Sequence, residues 1–333
     1  MTTMKFTAMA PESGVLISAS PAGVERNPDA PIEQIITSET AWRWLHLDHN
    51  RPNAAEWLRL QEDLPEDVAD AMLATQTRPR CVQWKGGLLF IGRGVNLNAE
   101  SLPEDMISIR AWLTPGRLVT VVRRRLRAAE DVATAVEQPN PKVQVEAAGE
   151  LLLMLLENLL ERMTPTVTES GEQIDDYLEG VIDEETKVDR RDIARLRLRI
   201  ITMRRYALPL REAIAELRLA PPTLMPADLT PALIEVADRV TRIVDELDNQ
   251  NIRAELARAE VAGIESETLN RRLYALAIVT AIFLPLSFLT GLLGMNVAGI
   301  PFTQPDWSIW VWGVVFATVL AGQLWLLRRL GWL

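Results

Sequence analysis

Two long uncharged apolar stretches near the C-terminal end of the chain constrain its fold more than any other feature. They occupy residues 273–293 and 309–327, and neither contains Asp, Glu, Lys or Arg. Each is about 20 residues long, enough for a helix to cross a hydrocarbon core of roughly 30 Å. Buried helices of a soluble protein are the alternative, but such helices normally have a polar face. The sequence therefore predicts two membrane-spanning helices, over residues 273–294 and 309–327.

The charges that flank these helices predict their orientation. Arg271 and Arg272 precede the first helix, and Arg328 and Arg329 lie in the short tail, residues 328–333. The connecting loop, residues 295–308, has Asp306 but no Lys or Arg. The positive-inside rule then places both termini in the cytoplasm and the loop outside. Tryptophans occur near both ends of the second helix, as is typical of interfacial anchors: Trp307, Trp310, Trp312, Trp325 and Trp332.

Composition excludes several other classes of protein. The net charge of −10 argues against a nucleic-acid partner, because binding to phosphates needs clustered Lys and Arg. The single cysteine, Cys81, excludes a disulfide framework and a Cys-based zinc site. His46 and His49 flank Asp48, which suggests a catalytic base, but a surface loop is the simpler interpretation. We expect neither an enzyme nor a bound cofactor.

The first 230 residues show the pattern of an α+β domain, with a mixed sheet flanked by helices. Gly86-Gly87 indicates a hairpin turn, and the pattern becomes helical from about Leu126 onward. The leucine-rich stretch 151–160 is too short to span a membrane and contains Glu157, so it predicts a buried helix. Alternating or β-rich segments predict strands at residues 14–20, 42–48, 81–97 and 106–123.

Two neighbouring segments carry opposite charge. Residues 169–189 are rich in Asp and Glu, whereas residues 190–211 are rich in Arg. One interpretation is an antiparallel pair of helices joined by surface ion pairs. The other is an acidic surface that concentrates cations near a permeation path. The two interpretations are compatible.

A very long helix is predicted to connect the N-terminal domain to the membrane. Thr230-Pro231 is a helix-start signal, and no further proline occurs before Pro285. One helix can therefore run over residues 231–293, with residues 231–272 as a stalk before the membrane. Its apolar residues recur at intervals of three and four, as in the seam of a helical bundle: Leu233, Val236, Val240, Ile243 and Leu247.

The same periodicity continues into the first membrane helix and selects small and polar residues there. The stripe consists of Asn270, Leu273, Ala277, Thr280, Leu284, Ser287 and Gly291, and it ends at Gly294. Ile278, Ile282 and Phe283 are assigned to the opposite face. A stripe of this kind suits either tight helix packing or a pore lining. Because one hairpin cannot enclose a pore, conduction requires an oligomer.

Gly294-Met295-Asn296, at the end of the first membrane helix, resembles the Gly-Met-Asn motif of the CorA-type divalent-metal transporters. Its context, Thr290 to Pro301, is most similar to the zinc-transporter branch, ZntB. The segments Trp42–Asp48 and Thr77–Arg80 also resemble that branch. The likeness covers nearly the whole chain.

The resemblance implies a homopentamer in the bacterial inner membrane, with five stalk helices forming a funnel and five first membrane helices lining the pore. It implies that Asn296 binds the metal ion through its hydrating water, while Met295 is structural. Compared with magnesium-type members, Leu293 replaces Tyr, Val297 replaces Phe, and the loop lacks an MPEL-like acidic stretch. These departures favour Zn²⁺ as the transported ion.

Three functional hypotheses follow. The first is a zinc transporter, with the proton-coupled uptake that the resemblance implies for this branch; no carboxylate or histidine on the stripe accounts for such coupling. The second is the same architecture carrying Mg²⁺, Co²⁺ or Ni²⁺, since a pore for hydrated ions discriminates weakly among them. The third is a membrane-anchored sensor that does not conduct, whose motif only caps a helix.

Overall fold

The computed structural model describes residues 15–26, 40–61, 64–138, 145–182, 189–295 and 307–332. They divide between two compact units, Met1–Arg258 and Ala259–Leu333. The first contains a sheet and most of the helices, and the second contains two long apolar helical segments. The boundaries predicted at residues 230, 272, 294, 308 and 327 stay predictions.

The described strands form one mixed sheet in the first unit. They are β1 (Val15–Ser20), β2 (Gly23–Arg26), β3 (Arg43–Asp48), β4 (Arg80–Trp84), β5 (Gly87–Gly94), β6 (Ile107–Thr114) and β7 (Arg117–Val122). Their order in the sheet is β2-β1-β3-β7-β6-β5-β4. Among these described strands, only the β3–β7 pair is parallel, and its register joins Arg43 to Arg117 and Asp48 to Val122. The prediction of a mixed sheet is confirmed.

The hairpin between β4 and β5 turns at the predicted glycines. Gly86 has φ +89°, a left-handed conformation that favours glycine. Gly87 is required for a different reason: a Cβ there would lie 2.5 Å from the Trp112 ring and 2.7 Å from the Leu113 carbonyl oxygen. The two glycines therefore allow, in turn, a tight turn and a close approach of neighbouring strands.

Helices cover both faces of the sheet because its central strands are apolar on both sides. On β7, Leu118 and Val122 belong to one buried cluster, and Val119 and Val121 to the other. The second cluster is completed by α1 (Pro52–Leu60) and α2 (Glu66–Leu73). The first is completed by α3 (Arg127–Glu137), α4 (Ala148–Ile182), α5 (Arg190–Leu217) and the start of α6 (Thr230–Leu293).

The predicted helical segments are confirmed. The leucine-rich stretch 151–160 forms part of α4, and its leucines are buried against the sheet and the neighbouring helices. The long helix α6 begins one residue before the predicted start and ends at the predicted residue. Its apolar seam from Leu233 to Leu247 is buried in the first unit.

Three charged residues of the two segments form ion pairs with α6. Arg197 of α5 lies 2.5 Å from Glu255 of α6, and Arg204 of α5 contacts Asp248 of α6. Asp175 of α4 contacts Arg253, again on α6. These contacts form because α6 packs against both helices and carries both signs of charge. Ion pairs between the two segments themselves stay a prediction. Each pair is partly exposed and is worth about 1 kcal/mol or less.

The second unit contains the two helical segments that are long and apolar enough to cross a membrane. One is the end of α6, and the other is α7 (Ser308–Arg329). Their most apolar windows have mean hydropathies of 2.3 and 1.7. Tyr274 Oη of α6 donates a 2.7 Å hydrogen bond to the carbonyl of Trp332, just after the end of α7. This confirms the prediction of two candidate membrane helices.

Candidate ion pathway

The predicted stripe lies on a single exposed face of α6. Its members are three or four residues apart, and this spacing places them on one side of a helix. Every one of them is exposed in the single chain: Asn270, Leu273, Ala277, Thr280, Leu284, Ser287 and Gly291. Leu273 is 53% exposed and Leu284 is 69% exposed. Within the described part of this chain, no other element covers the stripe.

The opposite side of α6 is partly buried within the second unit. Ile278 and Ile282 lie there, as predicted, together with Leu286 and Leu289. Phe283 differs from the prediction, because it is 62% exposed and flanks this side instead of belonging to it. A separation of 100° per residue places position 283 between the stripe and the buried side.

The last helix supplies the contacts to this buried side. The residues of α7 that are less exposed recur with helical periodicity: Val311, Trp312, Val315, Phe316, Val319, Leu320 and Gln323. Gln323 Nε2 lies 3.5 Å from the Ala281 carbonyl oxygen of α6. The hairpin therefore uses one side of each helix for packing and leaves the stripe free for another subunit or for water.

The stripe is polar without being charged. The Thr280 hydroxyl donates to the Leu276 carbonyl at 2.8 Å, so its proton is used within the helix and its oxygen is left to act as an acceptor. None of the stripe's residues is ionisable. An ion that passes along such a surface keeps much of its hydration shell, because the surface has no carboxylate, imidazole or thiolate to replace it.

The motif begins where α6 ends. The Gly294 N–H donates to the Thr290 carbonyl at 3.0 Å, and Met295 N–H reaches the Leu292 carbonyl at 3.4 Å. A Cβ at Gly294 would lie 3.3 Å from the Thr290 oxygen, a tighter contact than side chains usually make. Asn296 lies outside the described residues. The partial negative charge of a helix C-terminus favours a cation at this position.

The histidines lie far from this stripe in the sequence. His46 belongs to β3 of the first unit, and His49 directly follows that strand. His46 is buried in β3, with Nδ1 2.8 Å from Thr120 Oγ1, so the interpretation of a surface loop is wrong for this residue. Burial lowers the pKa of His46 to about 3. His49 Nε2 lies 2.7 Å from the Leu73 carbonyl oxygen. Among the described residues, no group of three or more His, Cys, Asp or Glu side chains is placed to hold a metal ion.

Sequence reasoning missed another group of polar residues in the first unit. Three arginines that are far apart in the sequence, Arg93, Arg110 and Arg123, come together at one end of the sheet. Only the strand register brings them together, so no local motif could reveal the group.

Comparisons with known proteins give the same family from sequence and from structure. Residues 39–329 match the family described as "CorA-like Mg2+ transporter protein". The chain is 29% identical over 301 residues to "Zinc transport protein ZntB" of Pectobacterium carotovorum, covering 90% of this chain and 91% of that protein. It is 34% identical over 293 residues to "Divalent cation transporter CmaX" of Pseudomonas aeruginosa, covering 87% of each.

Solved structures agree with these sequence matches. The full-length CmaX structure superposes with a TM-score of 0.80 at 30% identity, and the match covers 96% of this chain and 98% of that one. The CorA magnesium transporter of Methanocaldococcus jannaschii has the same fold, with a TM-score of 0.78 at 14% identity, covering 95% of this chain and 98% of that one. The chain therefore belongs to the CorA family of divalent-cation transporters.

Proposed function

We propose that this chain forms a homopentamer in the bacterial inner membrane and transports Zn²⁺ through a central pore. In this arrangement both termini are cytoplasmic, and the stripe of α6 from each subunit lines the pore. Asn296 of each subunit forms an outer ring that holds the ion through its hydrating water. The transported ion is cargo, and no resident cofactor takes part.

The exposed stripe carries this proposal. Thr280 and Ser287 present hydroxyls, and Ala277 and Gly291 leave room, on the end of α6, whose most apolar window has a mean hydropathy of 2.3. In a hydrocarbon environment, hydroxyls and small residues favour contact with another helix or with water over contact with lipid. A ring of subunits around a symmetry axis gives each stripe the same surroundings, and such a ring encloses an aqueous path.

Leu273 and Leu284 divide the polar part of the stripe. Rings of leucine at these two positions would form apolar constrictions, which close to ions when they lose water. The hydroxyls between and beyond them accept hydrogen bonds from a hydrated cation. The pathway therefore alternates between positions where an ion is hydrated and positions where hydration is restricted.

Zinc is proposed over other ions on two grounds. Several relatives are named zinc transport proteins, including those of Pectobacterium and Yersinia. In addition, Leu293 and Val297 depart from the residues of magnesium-type members, and the loop has no MPEL-like stretch. The competing candidate is Mg²⁺, Co²⁺ or Ni²⁺, which the family description and the broader name of CmaX support.

Metal uptake by the purified protein in sealed liposomes tests the proposal. We expect saturable Zn²⁺ uptake that exceeds the uptake of Mg²⁺, Co²⁺ and Ni²⁺ at equal concentration. Faster uptake of one of the other ions would assign the chain to the competing candidate. No uptake of any divalent cation, by protein that is folded and oligomeric, would favour the membrane-anchored sensor.

The same liposomes test proton coupling. We propose that an inward proton gradient accelerates zinc uptake, although the described stripe has no group that titrates near neutral pH. A proton-conducting ionophore serves as the control, because it removes the gradient without changing the metal concentration. Equal rates with and without the gradient would show that the protein moves zinc passively.

A further inference from the structure

A cavity of about 340 Å³ opens at the end of the sheet where β5 stops and β6 begins. Five arginines line it: Arg93, Arg110, Arg123, Arg124 and Arg205. The acidic side chains in its wall are Glu104 and Asp105. Glu104 Oε2 already lies 3.4 Å from Nε of Arg199, so its charge is shared with an arginine outside the cavity. The cavity is therefore strongly positive in an otherwise acidic chain.

The strand register explains how the arginines converge. Arg93 on β5 is paired with Ser108 on β6, and Arg110 on β6 is paired with Ile91 and Val121. Alternation along the strands places Arg93, Ser108 and Arg110 on the same face of the sheet. Arg123 directly follows β7, two residues after Val121, and so continues this face. Three guanidinium groups and one hydroxyl are thus brought to one place by rigid elements.

Arg110 is the most unusual member of the group. Its side chain is 0% exposed, and its Nη2 donates to the Ala74 carbonyl at 2.9 Å. Among the described residues, its Nε and Nη1 have no hydrogen-bond partner. Burial, and next the charges of Arg123 and Arg93, lower the pKa of Arg110 to about 10, so it remains a cation at neutral pH. A buried cation with free donors is costly unless an anion completes its hydrogen bonds.

The neighbouring arginines are also incompletely satisfied. Arg93 donates to the Met106 and Thr77 carbonyls at 3.1 and 2.9 Å, and its Nε has no partner within the described structure. Nη2 of Arg123 lies 3.1 Å from His49 Nε2. That ring nitrogen cannot accept from Arg123 while it donates to Leu73, and Nε of Arg123 likewise has no described partner.

We propose that this cavity binds a small anion that carries a phosphate group, as free phosphate, pyrophosphate or a phosphorylated metabolite. Guanidinium groups recognise phosphate oxygens through paired, charge-assisted hydrogen bonds. Three of them that converge from two strands and the end of a third match a tetrahedral, multiply charged anion better than a planar carboxylate, which one guanidinium satisfies. The hydroxyls of Ser108 and Thr202 in the same wall add further donors. The volume suits a small ligand.

Isothermal titration calorimetry on the full-length protein in detergent tests this site. The titrants are inorganic phosphate, pyrophosphate and a nucleoside diphosphate, with citrate as a carboxylate of comparable charge. We expect saturable binding of at least one phosphate compound and weaker binding of citrate. The order among the three phosphate compounds distinguishes free phosphate from a phosphorylated metabolite. Citrate that binds as tightly as the best phosphate compound, or no saturable binding at all, would overturn the proposal.

Substitutions locate the binding site. Arg110→Met keeps the size of the side chain and removes the charge, and it should weaken binding by about 10- to 100-fold. If this variant does not fold, the double variant Arg124→Gln with Arg205→Gln, at two exposed positions of the cavity, tests the site instead. Its affinity for the phosphate compound should fall several-fold. The matched control is Arg127→Gln with Arg218→Gln, which changes the net charge equally at exposed positions outside the cavity. Equal affinity of the cavity pair and the control pair would place the anion elsewhere.

Discussion

Asn296 is the residue on which the proposed contact with a hydrated ion depends. It directly follows Met295, which lies in the turn after α6 ends at Leu293. Asn296→Ala keeps the backbone but removes the amide that accepts hydrogen bonds from metal-bound water. We expect saturable uptake to be lost while expression and oligomer size are unchanged. Uptake with wild-type rate and affinity would show that the motif only ends the helix.

Asn296→Asp is the complementary substitution, because it keeps the shape of the side chain and adds a charge. A ring of carboxylates binds a divalent cation more tightly, yet conduction also requires release. We expect tighter apparent binding and slower turnover, measured from the concentration dependence of uptake. We also expect uptake to depend more strongly on external pH. Faster turnover at every concentration would contradict the role of an uncharged ring.

His46 gives the first unit a predictable dependence of stability on pH. Its pKa is lowered to about 3 by burial, whereas in the unfolded chain it is near 6.5. As the pH falls from about 6.5 towards 3, the unfolded chain gains a proton that the folded chain does not. His46 therefore reduces the free energy of unfolding by about 1.4 kcal/mol per pH unit in this window, and above it the effect is absent.

His46→Gln separates this contribution from the carboxylates that titrate at lower pH. The variant cannot bind the proton, so its free energy of unfolding should fall less steeply than that of the wild type between about pH 6.5 and 5. Urea unfolding of the full-length protein in detergent, followed by circular dichroism, measures both slopes. Identical slopes would mean that His46 is protonated in the folded protein as easily as in the unfolded chain.

At the scale of elements, α6 has two sides with different predicted roles. Leu284 lies on the exposed stripe, and Ile282 lies on the side that is partly buried within the second unit. Leu284→Ser should raise ion leak, because it adds a hydroxyl to the proposed apolar constriction. Ile282→Ser should mainly lower stability, because it places a polar group in the packing of the hairpin. Leak measured in liposomes should therefore rise more in Leu284→Ser, and thermal stability measured in detergent should fall more in Ile282→Ser.

The elements that the sequence predicted well are those with a strong local signal. The start of α6 follows from Thr230-Pro231, its membrane segment from continuous apolarity, and the β4–β5 turn from Gly86-Gly87. The parallel pairing of β3 with β7 carries no such signal, since about 70 residues separate the strands. For the same reason, the ion pairs of Arg197 and Arg204 with α6 were not predicted, and the convergence of Arg93, Arg110 and Arg123 was missed.

At the scale of the whole molecule, a single chain leaves the stripe of α6 exposed. Exposed hydroxyls and small residues on a membrane helix indicate a helix partner or water on that side. We expect native mass spectrometry in detergent to show one closed oligomer, a pentamer. Leu284→Ser should leave the subunit number unchanged, which separates an effect on leak from an effect on assembly. Monomers alone would remove the pore from the proposal.

The proposed pore lining can be tested by chemical modification, because the chain has a single native thiol, Cys81. Burial, and next the charge of Glu216, raise the pKa of Cys81 to about 12, so this thiol stays protonated and unreactive at neutral pH. A cysteine introduced into α6 is then the only reactive one in the chain. Thr280→Cys is nearly isosteric and lies on the stripe, and Ile282→Cys serves as its control on the packed side.

The central claim is that ions pass along this stripe, and a cationic, membrane-impermeant thiol reagent tests it most directly. Each variant, reconstituted in liposomes, is compared with itself before and after treatment, which also controls for zinc binding to the new thiol. We predict that the reagent modifies Thr280→Cys, as detected by mass spectrometry, and reduces its metal uptake to the background of empty liposomes. Wild-type protein and Ile282→Cys should keep their uptake. Unchanged uptake by modified Thr280→Cys, or failure of the reagent to reach it, would contradict a pore along this face of α6.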